Sequence, residues 1–258
     1  MAAAGPPRSA GDGDADRVAL FLDFDGTLVD IAPTPDAVRV EPAAAAALER
    51  LRLRLGGALA IVTGRPVADI DRFLPTLRLD ACGLHGLERR VAGRDLPSAP
   101  LPDIGGEIAA LRRHFADVAG VVVEGKRVGV AVHWRLAPDA ERDASAAMTD
   151  LAARLGPGYR LQDGKAVREL VPAASGKGAG IRALMAMQPY HGRLPVFAGD
   201  DRTDEDGFAA VNEAGGVSVK VGSGPTTARF RVAGPDALRA CLTDWAAGAA
   251  IPGRLSAG

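Results

Sequence analysis

The chain has 258 residues, 47% hydrophobic and 24% charged, which suits a soluble globular protein of one domain carrying a smaller inserted one. A formal net charge of −1 supplies no basic field for nucleic acid and no cationic face for an anionic membrane, so neither is expected as a partner. No apolar run reaches the ~18–20 residues of a membrane span, and Cys82 and Cys241 form neither a CxxC pair nor a zinc set. They read as small core residues of a cytoplasmic protein.

Residues 1–16 are rich in Gly, Pro, Ala and Asp and lack the basic start and apolar centre of a secretory signal, so they read as a disordered lead. Val18 to Phe24 is a continuous apolar run, the pattern of a strand buried on both faces of a parallel sheet. Pro42 to Leu55 follows with Leu48, Leu51 and Leu55 at helical spacing, and Leu59 to Val62 reads as the next strand. Strand, helix, strand is a βαβ unit with a right-handed crossover. A short strand at Ala81 to Gly83 ends this stretch.

The style then changes. Ile104 to Val118 reads as a helix, Val121 to Trp134 as two strands joined around Gly125 to Arg127, and Pro138 to Leu155 as a second helix. Tyr159 to Leu170 reads as a second hairpin turning at Asp163-Gly164. From Lys177 the α/β alternation resumes: a helix to Met187, strands at Leu194 to Ala198 and Val217 to Val221, a helix after Thr203, and a last helix from Pro235 to Ala247. The expected architecture is an α/β, doubly wound, Rossmann-like parallel-sheet core over 17–100 and 171–258, interrupted by an α+β cap over 101–170. Ligands of such sheets bind outside the carboxyl ends of the strands.

Four segments at strand ends or helix starts carry chemistry. In Asp23-Phe24-Asp25-Gly26-Thr27 the alternation puts both carboxylates on one side, where a nearby cation is expected to relieve their repulsion; an ordinary Asp-Gly turn reads the same way. Thr63-Gly64-Arg65 offers a hydroxyl and backbone N–H groups to a phosphate oxygen, or equally a helix cap. Lys177 opens a helix in Ser175-Gly176-Lys177-Gly178, which is not a P-loop because Val171 and Gly178 stand where Gly and Ser or Thr are needed. Only four of the 31 basic residues are lysine, which makes Lys177 more than a default surface charge. Gly199 to Asp206 is acid-rich after an apolar strand, with Asp200 and Asp204 expected at the site, and Glu205 and Asp206 partly as first-turn caps.

In this order the four segments resemble the signature of the haloacid dehalogenase superfamily, over residues 18–247. The resemblance implies that Asp23 attacks phosphorus to form an aspartyl phosphate, and that Asp25 protonates the leaving oxygen and then deprotonates water. It implies that Thr63 and Lys177 hold the phosphoryl group with Gly64, Arg65 and Phe24, and that Mg²⁺ is held by Asp23, the Asp25 carbonyl and Asp200, with Asp201 and Asp204 in support. The 37 residues between Asp25 and Thr63 leave room for one crossover helix and no cap, so the cap falls between the second and third motifs, as in sugar phosphatases.

The stretches Asp23 to Pro35, Gly83 to Glu88, Gly199 to Phe208 and Ser218 to Gly224 are similar to the trehalose-6-phosphate phosphatase family. So are Val123 to Lys126, His133 to Arg135 and Gly164 to Pro172 in the insertion, with Trp134 where Tyr is more usual and Val171 where a basic residue is common. The resemblance implies that Glu124, Lys126, Arg135, Lys165 and Glu169 grip the disaccharide, a small-molecule partner. A phosphatase of glucosyl- or mannosyl-phosphoglycerate, or an inactive sugar-phosphate sensor on the same scaffold, are the rival readings. His85 reads as a structural histidine near a strand end.

Overall fold

A computed structural model describes residues 17–32, 34–97, 103–126, 128–252 and 256–257; the lead expected over 1–16 lies outside the described residues. The chain divides into two compact units, Met1–Ser98 with Gly176–Gly258, and Ala99–Ser175.

The first unit opens with β1 (Val18–Leu22), α1 (Pro42–Arg54), β2 (Leu59–Val62), α2 (Val67–Phe73) and β3 (Asp80–Gly83). β1 and β2 are buried at every residue, as their continuous apolar sequences demand. A hairpin of β4 (Glu88–Val91) and β5 (Arg94–Leu96) follows. It carries charge where a strand pattern would carry apolar residues: Arg90 is 3% exposed and its guanidinium binds Asp71 and Asp95 at 2.6–2.7 Å. Hydrophobic alternation therefore does not reveal it.

The second unit contains α3 (Gly105–His114), β6 (Val122–Lys126), β7 (Gly129–His133), α4 (Glu141–Leu155), β8 (Tyr159–Gly164) and β9 (Val167–Pro172). The strands form an antiparallel sheet in the order β6-β7-β9-β8. Val130, Val132 and Leu170 pack with Leu111, Met148 and Leu151 of the two helices in a core of its own. The hairpin turns at Lys165-Ala166 and not at Asp163-Gly164, because Gly164 pairs with Val167 and an ion pair from Arg168 Nε to Asp163 Oδ1 at 2.5 Å carries the ladder past the Asp-Gly step.

The first unit resumes with α5 (Lys177–Met185), β10 (Leu194–Gly199), α6 (Glu205–Glu213), β11 (Val217–Val221), β12 (Phe230–Val232), α7 (Pro235–Ala246) and β13 (Ser256–Ala257). Its sheet runs β13-β12-β11-β10-β1-β2-β3-β4-β5. The six strands from β12 to β3 are parallel, and only the edges are antiparallel. This is the doubly wound core expected from the α/β alternation.

Candidate active site

Strand order reverses between β1 and β10: β2 and β3 continue on one side, β11 and β12 on the other. The chains leaving these two strands must diverge, which opens a crevice at their carboxyl ends. Leu22 pairs with both Ala198 and Ile61, so Asp23, Asp200 and Thr63 emerge at nearly one level. All four motifs line one cleft of about 810 Å³, with Asp23, Asp25, Thr63, Arg65, Lys177 and Asp200 in its wall.

Asp23 is 4% and Lys177 3% exposed. Lys177 Nζ donates to Asp23 Oδ1 at 2.6 Å and to Asp204 Oδ1 at 2.6 Å. Burial alone would lower Lys177, but Asp23 and Asp204 outweigh it and hold the ammonium above its usual range. Burial pushes Asp23 up to about 6 against the pull of Lys177, and pushes Asp204 up to about 6 with the Asp23 charge adding to it. Asp200 is raised as well, by burial first. Three acids raised together around one ammonium mark a site with more carboxylate than it neutralises.

Asp23, Asp200 and Asp204 each present an oxygen within 4.8 Å of the others, an all-oxygen donor set that suits Mg²⁺ rather than zinc or copper. Asp204 has both oxygens engaged, Oδ1 by Lys177 and Oδ2 by the Asp201 N–H at 2.8 Å. Asp201 lines the cleft, yet its carboxylate caps the 3-10 turn Arg202–Asp204. Glu205 and Asp206 stand in the first turn of α6, as expected, but their carboxylates bond outside it. Glu205 accepts from Thr226 and Thr227, and Asp206 from the Gly178 N–H, because both side chains point at neighbouring segments.

The turn after β1 is held by Leu28 and Val29 N–H groups on the Phe24 carbonyl and by Gly26 N–H on Val29 at 2.8 Å. Gly26 has φ +75, and a Cβ there would run into the Asp200 carboxylate. The motif glycine is thus required both by its backbone and by its neighbour. The Phe24 side chain is fully buried against Phe73, so a ligand can meet only its backbone. Asp25 binds Arg65 through two parallel bonds, Nε to Oδ2 at 2.6 Å and Nη2 to Oδ1 at 2.7 Å. Thr63, 1% exposed, accepts the Arg65 N–H at its hydroxyl.

In the second unit Glu124, Ala131, Glu169 and Gln162 pair in register across β6, β7, β9 and β8, so Glu124 and Glu169 share one face with Lys126. Lys126 binds Glu169 at 2.7 Å and Glu124 binds His133 at 2.9 Å. Arg135 and Lys165 are exposed at the opposite end of the sheet, where the Trp134 N–H meets the Ala166 carbonyl.

The sequence profile of the trehalose-phosphatase family matches residues 21–236, which spans every motif described. The chain is 43% identical over 210 residues to a probable trehalose-phosphate phosphatase of Sinorhizobium fredii, covering 81% of this chain and 79% of that one. It is 40% identical over 223 residues to the trehalose-6-phosphate phosphatase of Escherichia coli, covering 85% and 84%. The chain belongs to the trehalose-phosphatase family. It is a phosphatase of the haloacid dehalogenase superfamily, and its fold agrees: an Aspergillus fumigatus trehalose-6-phosphate phosphatase structure superposes with a TM-score of 0.71 at 26% identity, covering 89% of this chain and 92% of that one.

For a trehalose-phosphatase, the site contains residues to which motif reading gave no role. Thr27 donates to Asp200 Oδ1 at 3.1 Å, and Lys220 donates to the Asp200 carbonyl. Lys220 is 5% exposed, and its scarcity was the signal that could have found it. His85 lies just after β3, near the strand end where the sequence placed it. Its ring lies in the cleft over Gly64, where a Cβ would come within 2.7 Å of Nε2. Its backbone N–H donates to the Thr63 carbonyl and its carbonyl accepts from the Gly176 N–H, tying the second motif to the third.

Proposed function

We propose that this protein hydrolyses trehalose 6-phosphate to trehalose and phosphate, with Mg²⁺ as cofactor and Asp23 as nucleophile. The observation that carries the chemistry is the buried Asp23 carboxylate held by Lys177 beside Asp200, at the reversal of strand order. The substrate rests on membership of the family and on what its relatives are named for. Two cysteines without a disulfide fit a cytoplasmic setting.

In this reading Asp23 attacks phosphorus and the sugar oxygen leaves with a proton from Asp25. Asp25, now a carboxylate, takes a proton from water, and the hydroxide so formed attacks phosphorus and releases Asp23. Lys177 and the Thr63 hydroxyl hold the phosphoryl oxygens. Asp23, Asp200 and the Asp25 carbonyl would hold Mg²⁺, with Asp204 supporting them through Lys177 and the Asp201 N–H. The ion supplies positive charge against the phosphoryl oxygens. The five residues Glu124, Lys126, Arg135, Lys165 and Glu169 are read as disaccharide ligands, since carboxylates and cations bind sugar hydroxyls through charge-assisted hydrogen bonds.

The test is phosphate release from a panel of sugar phosphates at equal concentration, with and without Mg²⁺. Trehalose 6-phosphate should be turned over with the highest kcat/KM. A glucosyl- or mannosyl-phosphoglycerate turned over faster would move the substrate assignment, and no release from any of them would make the chain a sensor.

A further inference from the structure

Arg65 spends its guanidinium on Asp25. Both members of its fork point at the carboxylate, at 2.6 and 2.7 Å, which is the geometry in which arginine fixes orientation as well as charge. Asp25 needs such a partner: its side chain is 37% exposed, while that of Arg65 is only 12% exposed. It also sits in a turn between Asp23 and Val29 whose backbone is closed by the Leu28 and Val29 N–H groups on the Phe24 carbonyl and the Gly26 N–H on the Val29 carbonyl.

Arg65 itself is anchored on every side. Its guanidinium lies 5.0 Å from the centre of the Phe73 ring and 5.8 Å from that of Phe24, and those two rings stack on each other. Its N–H donates to Thr63 Oγ1 at 3.1 Å, and its carbonyl accepts from Leu84 at 3.0 Å. The phenylalanine between the two motif aspartates and the arginine of the second motif thus build one support for Asp25, which lies 40 residues before Arg65 in sequence.

We propose that Arg65 is a positioning residue: it aims the Asp25 carboxylate at the oxygen whose proton Asp25 moves, and it is not a ligand of the substrate. The proposal rests on the reading of Asp25 as the acid and base of the reaction. Its consequence is specific. Help from a proton donor matters most when the leaving oxygen is basic, as in a sugar or other alkyl phosphate, and least for an acidic phenol. A group that merely binds the phosphoryl oxygens serves every leaving group alike.

The experiment measures kcat/KM for p-nitrophenyl phosphate, phenyl phosphate and trehalose 6-phosphate in the Mg²⁺-loaded wild type, Arg65→Met, Arg65→Lys, Asp25→Asn and the Arg65→Met/Asp25→Asn double variant. Methionine keeps an apolar stem over Phe73 and removes the fork, and thermal melting of each variant confirms folding. Arg65→Met should lose a few-fold with the nitrophenyl ester and about 10- to 100-fold with the sugar phosphate, within the range of a displaced proton-transfer group. Arg65→Lys should recover part of that slope, and Arg65→Met should add little in the Asp25→Asn background. A uniform loss across the three substrates, with Asp25→Asn still steep, would make Arg65 a phosphate ligand or a structural residue and overturn the proposal. A flat Asp25→Asn series would overturn the role of Asp25 first, and that of Arg65 with it.

Discussion

Asp23 holds two properties in tension. Burial raises its carboxyl, whereas the proposed role as nucleophile requires an ionised carboxylate, the form that the Lys177 ammonium at 2.6 Å favours. Asn at this position would keep the shape and lose both the charge and the nucleophilic oxygen. Asp23→Asn should therefore lower turnover by more than about 100-fold, roughly 2.7 kcal/mol of barrier, while far-ultraviolet circular dichroism stays native. Retention of a greater rate would exclude Asp23 as nucleophile. Excess chelator should abolish phosphate release and added Mg²⁺ restore it, because Asp23 and Asp200 face each other with too little positive charge between them. Full activity in chelator would remove the ion from the reaction. Gly26 gives a third test at this scale: Gly26→Ala forces a side chain into the left-handed region and against Asp200. It should cost about 1–2 kcal/mol, read from urea unfolding, and weaken Mg²⁺ activation as well.

Among the elements, α6 shows how acids of one motif serve different ends. Glu205 at its start accepts the Thr226 hydroxyl at 2.8 Å and the Thr227 N–H and hydroxyl at 2.8 and 2.7 Å, fastening the helix to the loop before β12. Burial would raise Glu205, but the Thr227 bonds outweigh it and leave the carboxyl below its ordinary value. A folded-state pKa below the unfolded one contributes stability above the unfolded value and loses it as pH falls through the folded one. Glu205→Gln should thus cost about 1 kcal/mol at pH 7, and the difference from wild type should shrink once the medium falls below about pH 4. Urea unfolding at both pH values checks this, and a gap that persisted in acid would mean that the charge is not what the threonines hold.

At the scale of the whole molecule the residues proposed for phosphoryl chemistry and those proposed to read the sugar belong to different compact units. A phosphoryl group is common to all monoesters, so discrimination must come from what touches the rest of the substrate. Glu124→Ala or Glu169→Ala should lower kcat/KM for trehalose 6-phosphate about 10- to 100-fold more than for p-nitrophenyl phosphate, the scale of one lost hydrogen bond to a charged group. Equal losses on both substrates would assign these carboxylates to folding or catalysis.

The apolar runs Val18–Leu22 and Leu59–Val62 determined their strands unaided, since a segment buried on both faces admits few other structures. The motif residues were likewise legible, because the carboxyl end of a buried strand is where an acid or hydroxyl escapes the core. What stayed hidden depends on partners distant in sequence. The β4–β5 hairpin exists around a buried Arg90 that only Asp71 and Asp95 make tolerable. The acid-rich run after β10 divides its duties by which neighbour each carboxylate meets: Lys177, Gly178 or Thr227. Arg65 reads in sequence as a cation beside a phosphate site and proves in the fold to be committed to Asp25. Local pattern determines which residues reach the crevice. What each does there depends on the charge or ring that the folded chain sets opposite it, since ion pairs and hydrogen bonds act over a few ångströms and ignore separation in sequence.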